Sequence, residues 1–545
     1  MTMNWFATTW TQIPHPVPAP SPRWSAGPPV SDSPTGRTGS CTSTSSPHMM
    51  PCPKAPPLAQ PSRPMDILLI APASGNWRAV GRQAWINGRT FRFSLLSLLS
   101  VAAETPPGAQ VRIVDEQVDV IPWADPVDLV GITCMTATAP RAYEIADRFR
   151  ARGVPVVLGG MHPTFCLDEA AQHADAVVLG EAEGLWPQVV NDVRQKRLQR
   201  FYRHATPPDL RGLKPLPRHL LASRRYATVQ AVQATRGCPH GCDFCAVAAF
   251  HQRTHRCRPV DEVVREVAEL RGRFFVFVDD NLVANRAYAL ALFKALRPLH
   301  KRWISQVTLS LAEDTELLEL AAEAGCIGVF VGLETFSAGN LEAIRKLHNK
   351  VERYREAIRQ FHAHGIGVEA GIVFGLPGDR ADVFARTLQL LDALEVDAVL
   401  VSIFTPLPGT PRGAAMAARI LDRNWAHYDF HHVVFEPWGM TAEALQAGHD
   451  WVTHQFYRPW WIIRRLVQAL FRPRFWRAWR YIAALNLAFY GRVLQWHIRG
   501  WNPAAELAGS PSPFEARGQP CRLTAQRATL AVRTLPRAQP PPTLR

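Results

Sequence analysis

Three cysteines within eight residues, Cys238, Cys242 and Cys245 in the string Arg-Gly-Cys-Pro-His-Gly-Cys-Asp-Phe-Cys, constrain this chain more than any other feature of it. Thiolates this close together favour soft, thiophilic metals. They can fill three corners of a four-iron, four-sulfur cluster, leaving one iron without a protein ligand and open to chemistry. The other reading of the same loop is a zinc knuckle completed by Cys257, His240, His251 or His255. Ten cysteines in 545 residues are too sparse for a disulfide scaffold. A thiolate cluster site needs a reducing compartment, so a cytoplasmic location is expected.

With 47% apolar residues the chain can build two or three domains. Residues 1–64 are rich in Pro, Ser and Thr, lack apolar periodicity and are expected to be disordered. They also lack the basic start and apolar core of a signal peptide. Met65 opens Met-Asp-Ile-Leu-Leu-Ile-Ala-Pro, which reads as the first strand of a domain and marks the expected functional start. Residues 503–545 are Pro- and Arg-rich and are expected to be an unstructured tail. The net charge of +15 is uneven: residues 1–64 carry +3, residues 451–499 carry +9 and residues 500–545 carry +4, which leaves about −1 for the body. A near-neutral body disfavours a nucleic-acid channel, since phosphates require a basic groove, and no nucleic-acid partner is expected.

From residue 65 to about residue 200, buried runs alternate with helical stretches. Strands are expected at 66–71, 111–115, 129–133, 154–159 and 176–179, with the clearest helix at 141–152. Such alternation predicts a doubly wound, Rossmann-like parallel sheet of the α/β class, with its ligand at the carboxyl ends of the strands. Thr133 ends one of these strands, Gly159-Gly160-Met161-His162 follows the next and Gly180-Glu181 follows the last. Glycines there would let backbone approach a bulky ligand closely. A second alternation places strands at 228–235, 274–279, 303–311, 327–334, 368–375 and 398–405, with helices at 260–270, 286–299, 315–324 and 338–364. Six strand–helix units make a partial barrel whose reactive residues belong at the strands' carboxyl ends. Asp279, Asp280, Glu334, Gly371, Gly375 and Pro406 fall there.

The cysteine loop, the aromatic Phe244 before its third cysteine, and these strand ends in this order resemble the B12-dependent subfamily of radical S-adenosylmethionine (SAM) enzymes. The resemblance implies a cobalamin-binding α/β domain at 65–200, a partial (β/α)6 radical SAM barrel at 201–415 and a helical extension at 416–502. It implies a [4Fe-4S] cluster on Cys238, Cys242 and Cys245. It implies SAM contacts from Phe244, Asp279, Asp280, Glu334, Gly371, Gly375 and Pro406, and cobalamin contacts from Thr133, Gly159, Gly160, His162, Gly180 and Glu181. One departure matters: the Asp-x-His-x-x-Gly of corrinoid proteins is replaced by Ala71-Pro-Ala-Ser-Gly-Asn-Trp-Arg, so cobalamin is expected to bind without a histidine below cobalt. His162 is expected to be structural or to touch the nucleotide tail rather than to ligate cobalt. The implied activity is C-methylation of an unactivated carbon in a small hydrophobic substrate through a 5'-deoxyadenosyl radical, with methylcobalamin as methyl donor. A flavodoxin- or ferredoxin-type protein would supply the electron. The alternatives are oxidative ring closure of a porphyrin, a non-catalytic corrinoid or iron–sulfur redox sensor, and a degenerate first domain kept for packing or substrate binding.

Between Trp451 and Trp501 there are nine arginines, seven tryptophans and no acidic residue. Trp460, Ile463, Val467, Leu470 and Phe471 share one helical face, with Arg464, Arg465, Gln468 and Arg472 turned away. Pro473 interrupts this helix and a second runs over 475–496. No apolar run is long enough to span a bilayer. Peripheral membrane contact through residues 451–502 is one expectation, with a lipid such as a hopanoid as substrate. A cap on the barrel with solvated arginines is the second, and RNA stacking is the third.

Overall fold

The computed structural model describes residues 63–73 and 95–498; the expectations for residues 1–62, 74–94 and 499–545, including most of the Ala71-to-Arg78 loop and the terminal tail, lie outside the described residues. The first sheet has six parallel strands: β1 (Met65–Ala71), β2 (Ala109–Asp115), β3 (Leu129–Thr133), β4 (Val156–Gly159), β5 (Ala176–Leu179) and β6 (Phe201–Arg203). Their order is β2-β1-β3-β4-β5-β6. β1 is apolar from Ile67 to Ala71 because both of its faces are covered there: Leu68 and Ile70 join one core layer, Ile67 and Leu69 the other. Helix α1 (Ala139–Arg150) closes the first layer through Ala142, Ile145, Ala146 and Phe149, and α2 (Trp186–Arg194) closes the second through Trp186, Val189 and Val190. The strand order reverses between β1 and β3, which opens a crevice at their carboxyl ends. β6 escaped the sequence reading because it has three residues and only Tyr202 is buried.

The second sheet also has six parallel strands, in the order β14-β13-β12-β11-β10-β7. They are β7 (Ala231–Val232), β10 (Phe274–Phe277), β11 (Arg302–Val307), β12 (Cys326–Glu334), β13 (Gly367–Phe374) and β14 (Ala398–Ile403); β8 (Thr235–Arg236) and β9 (Arg256–Cys257) form a separate antiparallel pair. Helix α3 (Ala246–Phe250) follows the third cysteine. Two expectations are corrected. The strand at 228–235 is broken, because its end leaves the barrel to pair with β9. The helix at 338–364 is two, α4 (Ala338–Ala343) and α5 (Tyr354–Ala363). Between them Asn349 is buried and donates to the carbonyls of Gly332 (2.9 Å) and Leu333 (3.4 Å), tying the connector to β12.

Three further helices, α6 (Ala442–Phe456), α7 (Pro459–Leu470) and α8 (Trp479–Ile498), pack on the barrel. Tyr457, just after α6, covers the free edge of β14: its hydroxyl accepts from Val399 N (3.0 Å) and donates to Val399 O (2.8 Å). Tyr481 of α8 fills the space over Gly328 and Gly367, where an added Cβ would meet its ring at 2.2 and 3.0 Å. Arg465 of α7 and Arg472 just after it are not solvated, as a simple cap would have them. Arg465 is buried, lies 3.9 Å over the Phe456 ring and donates to Asn486 (2.9 Å). Arg472 pairs with the buried Asp397 (2.5 Å), which also holds His362 Nε2 (2.9 Å) and accepts from Val368 N (2.8 Å). Among the described residues no helix is long and apolar enough to cross a membrane.

Burial alone would raise the Asp397 pKa, but Arg472 and His362 override it and hold the carboxyl well below its usual range. Asp397→Ala is expected to cost about 3–5 kcal/mol, read as a lower denaturant midpoint at neutral pH. Because the folded pKa is depressed, the contribution is full above roughly pH 4 and fades as pH falls below it, so wild type and variant should converge in acid.

Candidate functional site

The pairing of Thr235 with Cys257 and of Arg236 with Arg256 closes residues 237–255 into a single loop, and all three cysteines lie on it. Gly237 begins the loop at φ +83°, and a Cβ there would lie 2.2 Å from Thr254 O, so no side chain fits. Two carboxylates at the end of β10 brace this start. Asp279 accepts from Ala234 N (3.1 Å) and from the Thr235 hydroxyl (2.7 Å), and Asp280 accepts from Gly237 N (2.9 Å). Both were expected beside SAM, and in the structure both also hold the loop. Their neighbour Asn281 donates to Cys238 Sγ (3.9 Å). On the far side Arg412 grips Asp243 (2.6 Å), between the second and third cysteines.

The three thiols are free and half-buried. Burial pushes Cys238 up and Cys242 up to about 12, and Cys245 raises both, so the three lie within electrostatic reach of one another. Thiols so placed ionise readily only when they share a cationic centre, which an iron–sulfur cluster provides. Sulfurs on one zinc ion would stand only about 3.8 Å apart, given zinc–sulfur bonds of about 2.3 Å, whereas each cluster cysteine holds its own iron. Among the described residues no three His, Cys, Asp or Glu side chains converge on a single point in this way. Of the zinc reading's fourth ligands, His240 stacks on His348 (3.8 Å) and His251 lies 3.4 Å from Glu181.

Glu334 ends β12 at φ +65°, an uncommon conformation for a residue with a side chain, and its carboxylate meets Lys346 Nζ at 2.7 Å. Gly332 makes room for the pair: a Cβ there would stand 2.3 Å from Glu334 Oε1. Burial pulls the Lys346 pKa down, but the Glu334 carboxylate outweighs it and holds the ammonium above its usual range. Lys346 is therefore a fixed cation between the cysteine loop and Glu334. Sequence reasoning missed it because its connector looked helical. Gly371 lies against the Phe330 ring (2.8 Å to an added Cβ), while Gly375, at φ +88°, turns its open side to Leu445 and Phe435. Packing, not ligand approach, forbids a side chain at Gly375. Asp379 braces the turn beyond it by accepting from Gly375 N and Leu376 N (2.9 Å each). Pro406 is buried, and Phe244 packs inside the barrel core.

The carboxyl ends of the two sheets meet. Met161, beyond β4, joins Ala246 and Val247 of α3, Leu407 beyond β14, and Tyr428 in one apolar cluster, with Cys245 at its margin. Arg236 of β8 reaches back to Glu181 and Glu183 (2.5 Å each), and Arg256 joins Glu181. Burial would raise the Glu181 pKa, but His251, Arg236 and Arg256 bring it down to about 2. Glu181 thus serves the junction between the two sheets. His162 is fully buried, 3.1 Å from the Tyr143 hydroxyl and 3.5 Å from Glu169, with Trp425 edge-on at 5.2 Å. These contacts are those of a histidine held within the fold. Thr133 remains at the mouth of the crevice, at the end of β3. Thr164 stitches the next two loops together, donating to Gly160 O (2.8 Å) and accepting from Gly180 N (3.0 Å). Gly180 faces open space and Gly159 meets nothing closer than 3.8 Å, which suits a ligand that lies against backbone.

Two family descriptions match the chain: "Radical SAM superfamily" over residues 232–391 and "B12 binding domain" over residues 108–190. The bacteriochlorophyllide d C-12(1)-methyltransferase of Chlorobaculum tepidum is 29% identical over 68% of this chain and 84% of that protein. The bacteriochlorophyllide d C-8(2)-methyltransferase of the same organism is 31% identical over 61% of this chain and 78% of that protein. The hopanoid C-2 methylase of Rhodopseudomonas palustris is 30% identical over 58% of this chain and 62% of that protein. Among solved structures, the radical S-adenosylmethionine methyltransferase TsrM from Kitasatospora setae superposes with a TM-score of 0.56 at 16% identity, over 78% of this chain and 99% of that one. This last likeness is one of fold.

Cys242→Ala is expected to lose most of the iron and the broad visible absorption gained on anaerobic reconstitution. Cys257→Ala should keep both, which metal analysis and absorbance will check; a loss in the second variant would restore Cys257 as a ligand.

Proposed function

This chain belongs to the B12-binding radical SAM superfamily, and on that premise we propose that it transfers a methyl group to an unactivated carbon of a hydrophobic substrate. We read residues 65–200, 201–415 and 416–502 as its cobalamin-binding, radical SAM and helical units. The observation that carries the reading is the meeting of the two carboxyl-end faces: the Gly159 and Gly180 loops lie across an apolar cluster from the helix that follows Cys245. When bound, the cluster, SAM and cobalamin supply reductive cleavage of a carbon–sulfur bond and a transferable methyl group.

The chain's own residues set the conditions for that chemistry. Cys238, Cys242 and Cys245 hold the iron, and Asn281 donates to the Cys238 sulfur, a bond that tunes cluster potential. Lys346 offsets the anionic charge of the cysteine loop beside Cys242. Glu334 offers a carboxylate acceptor for a SAM hydroxyl or amino group. Asp279 and Asp280 position the loop without touching the reacting atoms. Thr133, Gly159, Gly160 and Gly180 form the cobalamin side. The apolar cluster keeps water from the space between.

A hydrophobic substrate is supported by relatives named for bacteriochlorophyllide and hopanoid methylation. An external one-electron donor of flavodoxin or ferredoxin type completes the reaction, and the enzyme works in the cytoplasm with peripheral membrane contact through residues 451–502.

The test is anaerobic incubation of the reconstituted protein with methyl-labelled SAM and extracts rich in lipid and tetrapyrrole. Labelled apolar product together with 5'-deoxyadenosine is expected. 5'-Deoxyadenosine without label would replace methyl transfer by ring closure. Glu334→Ala should weaken SAM binding about tenfold, roughly 1.4 kcal/mol, in a titration; unchanged binding would remove Glu334 from the site.

A further inference from the structure

We propose that the outer face of α7 and the turn after it form a docking surface for an anionic phospholipid bilayer, lying in the headgroup layer without crossing it. The inference deepens the membrane contact of the proposed function, rests on it, and names its surface. Trp460 (70% exposed), Ile463 (53%), Val467 and Phe471 (84%) stand on one side of α7, and the stripe continues into Phe475 and Trp476 (64%) of the following turn. Soluble surfaces rarely carry so long an apolar stripe without a partner.

The helix cannot roll to hide these side chains. Its inner side is fixed by Ile462 and Ala469 in the core and by Arg465 on Phe456 and Asn486, and Arg472 beyond it is held by Asp397. Turning the stripe inward would strip those buried guanidiniums of their partners.

The charge pattern identifies the occupant. No Asp or Glu occurs from Trp451 to Ile498. Arg458 precedes α7, Arg474 lies in the turn and Arg480 opens α8, all three exposed. Cations therefore flank the stripe at both ends. The carboxylates that abut α7, Asp392 and Glu395, are paired with Arg464 and Arg472, and an anionic phospholipid surface answers the exposed remainder, with phosphates for the guanidiniums and acyl chains for the aromatics between them. At twelve residues α7 is about 18 Å long, short of the roughly 30 Å hydrocarbon core, so it lies in the plane of the membrane.

The test is flotation of the full-length, cofactor-loaded protein with vesicles of phosphatidylcholine alone or with roughly one-third phosphatidylglycerol. Wild type should float with the anionic vesicles and detach as salt rises. The double variant Trp460→Asp, Phe471→Asp should bind at least about tenfold more weakly. The triple variant Arg458→Gln, Arg474→Gln, Arg480→Gln should lose the preference for anionic lipid while keeping wild-type circular dichroism. Both should still form 5'-deoxyadenosine from SAM in detergent, so a failed docking surface and a failed methyltransferase reading give different results. Flotation unchanged in either variant, no flotation of wild type, or self-association of wild type that the double variant abolishes would overturn the proposal, the last by giving the face to a second copy of the chain.

Discussion

The arrangement of this protein depends on a buried set of charges between its two sheets. Arg236 leaves the barrel's first strand and enters a pocket of two glutamates that follow β5, with Arg256 and His251 completing the set. Ion pairs removed from water contribute little net stability, because desolvation consumes most of the attraction. They are demanding about geometry, since any other docking would leave an unpaired charge. The position is telling: Arg236 lies two residues before Cys238, so the junction that orients the α/β domain also fixes the start of the cysteine loop.

Much of the architecture was legible in the residues. Strands buried on both faces announce themselves as mostly apolar runs, as β1, β3 and β14 do, and the three cysteines stand out by their spacing. Short elements were not legible. β6 and the β8–β9 clasp are too brief to carry a period, and each exists because a neighbour supplies the pairing. Lys346 was hidden for a related reason: helix-forming residues surround it, while the hydrogen bonds of Asn349 to β12 break the helix. Side-chain direction was the other blind spot. His162 and Glu181 stand at strand ends where a ligand contact is expected, and their contacts with Tyr143 and Glu169 and with the barrel's arginines could not be read from spacing.

The carboxyl-terminal helices show that a correct period does not decide which face turns inward. The apolar and basic faces of α7 were assigned to the right residues, yet the basic side is the one that faces inward. A hydropathy pattern knows nothing of Phe456, Asn486 or Asp397, and these three make burial of guanidinium favourable at Arg465 and Arg472. Arginine suits such places because its flat, weakly hydrated cation stacks on a ring while bonding at its edge.

Tyr481 packs over Gly328, a residue roughly 150 positions earlier in the chain. During synthesis the stretch bearing the cysteines therefore emerges well before the segment that finishes the barrel beneath it. Until α8 arrives, Gly328 and Gly367 leave a gap in the barrel wall that the Tyr481 ring fills.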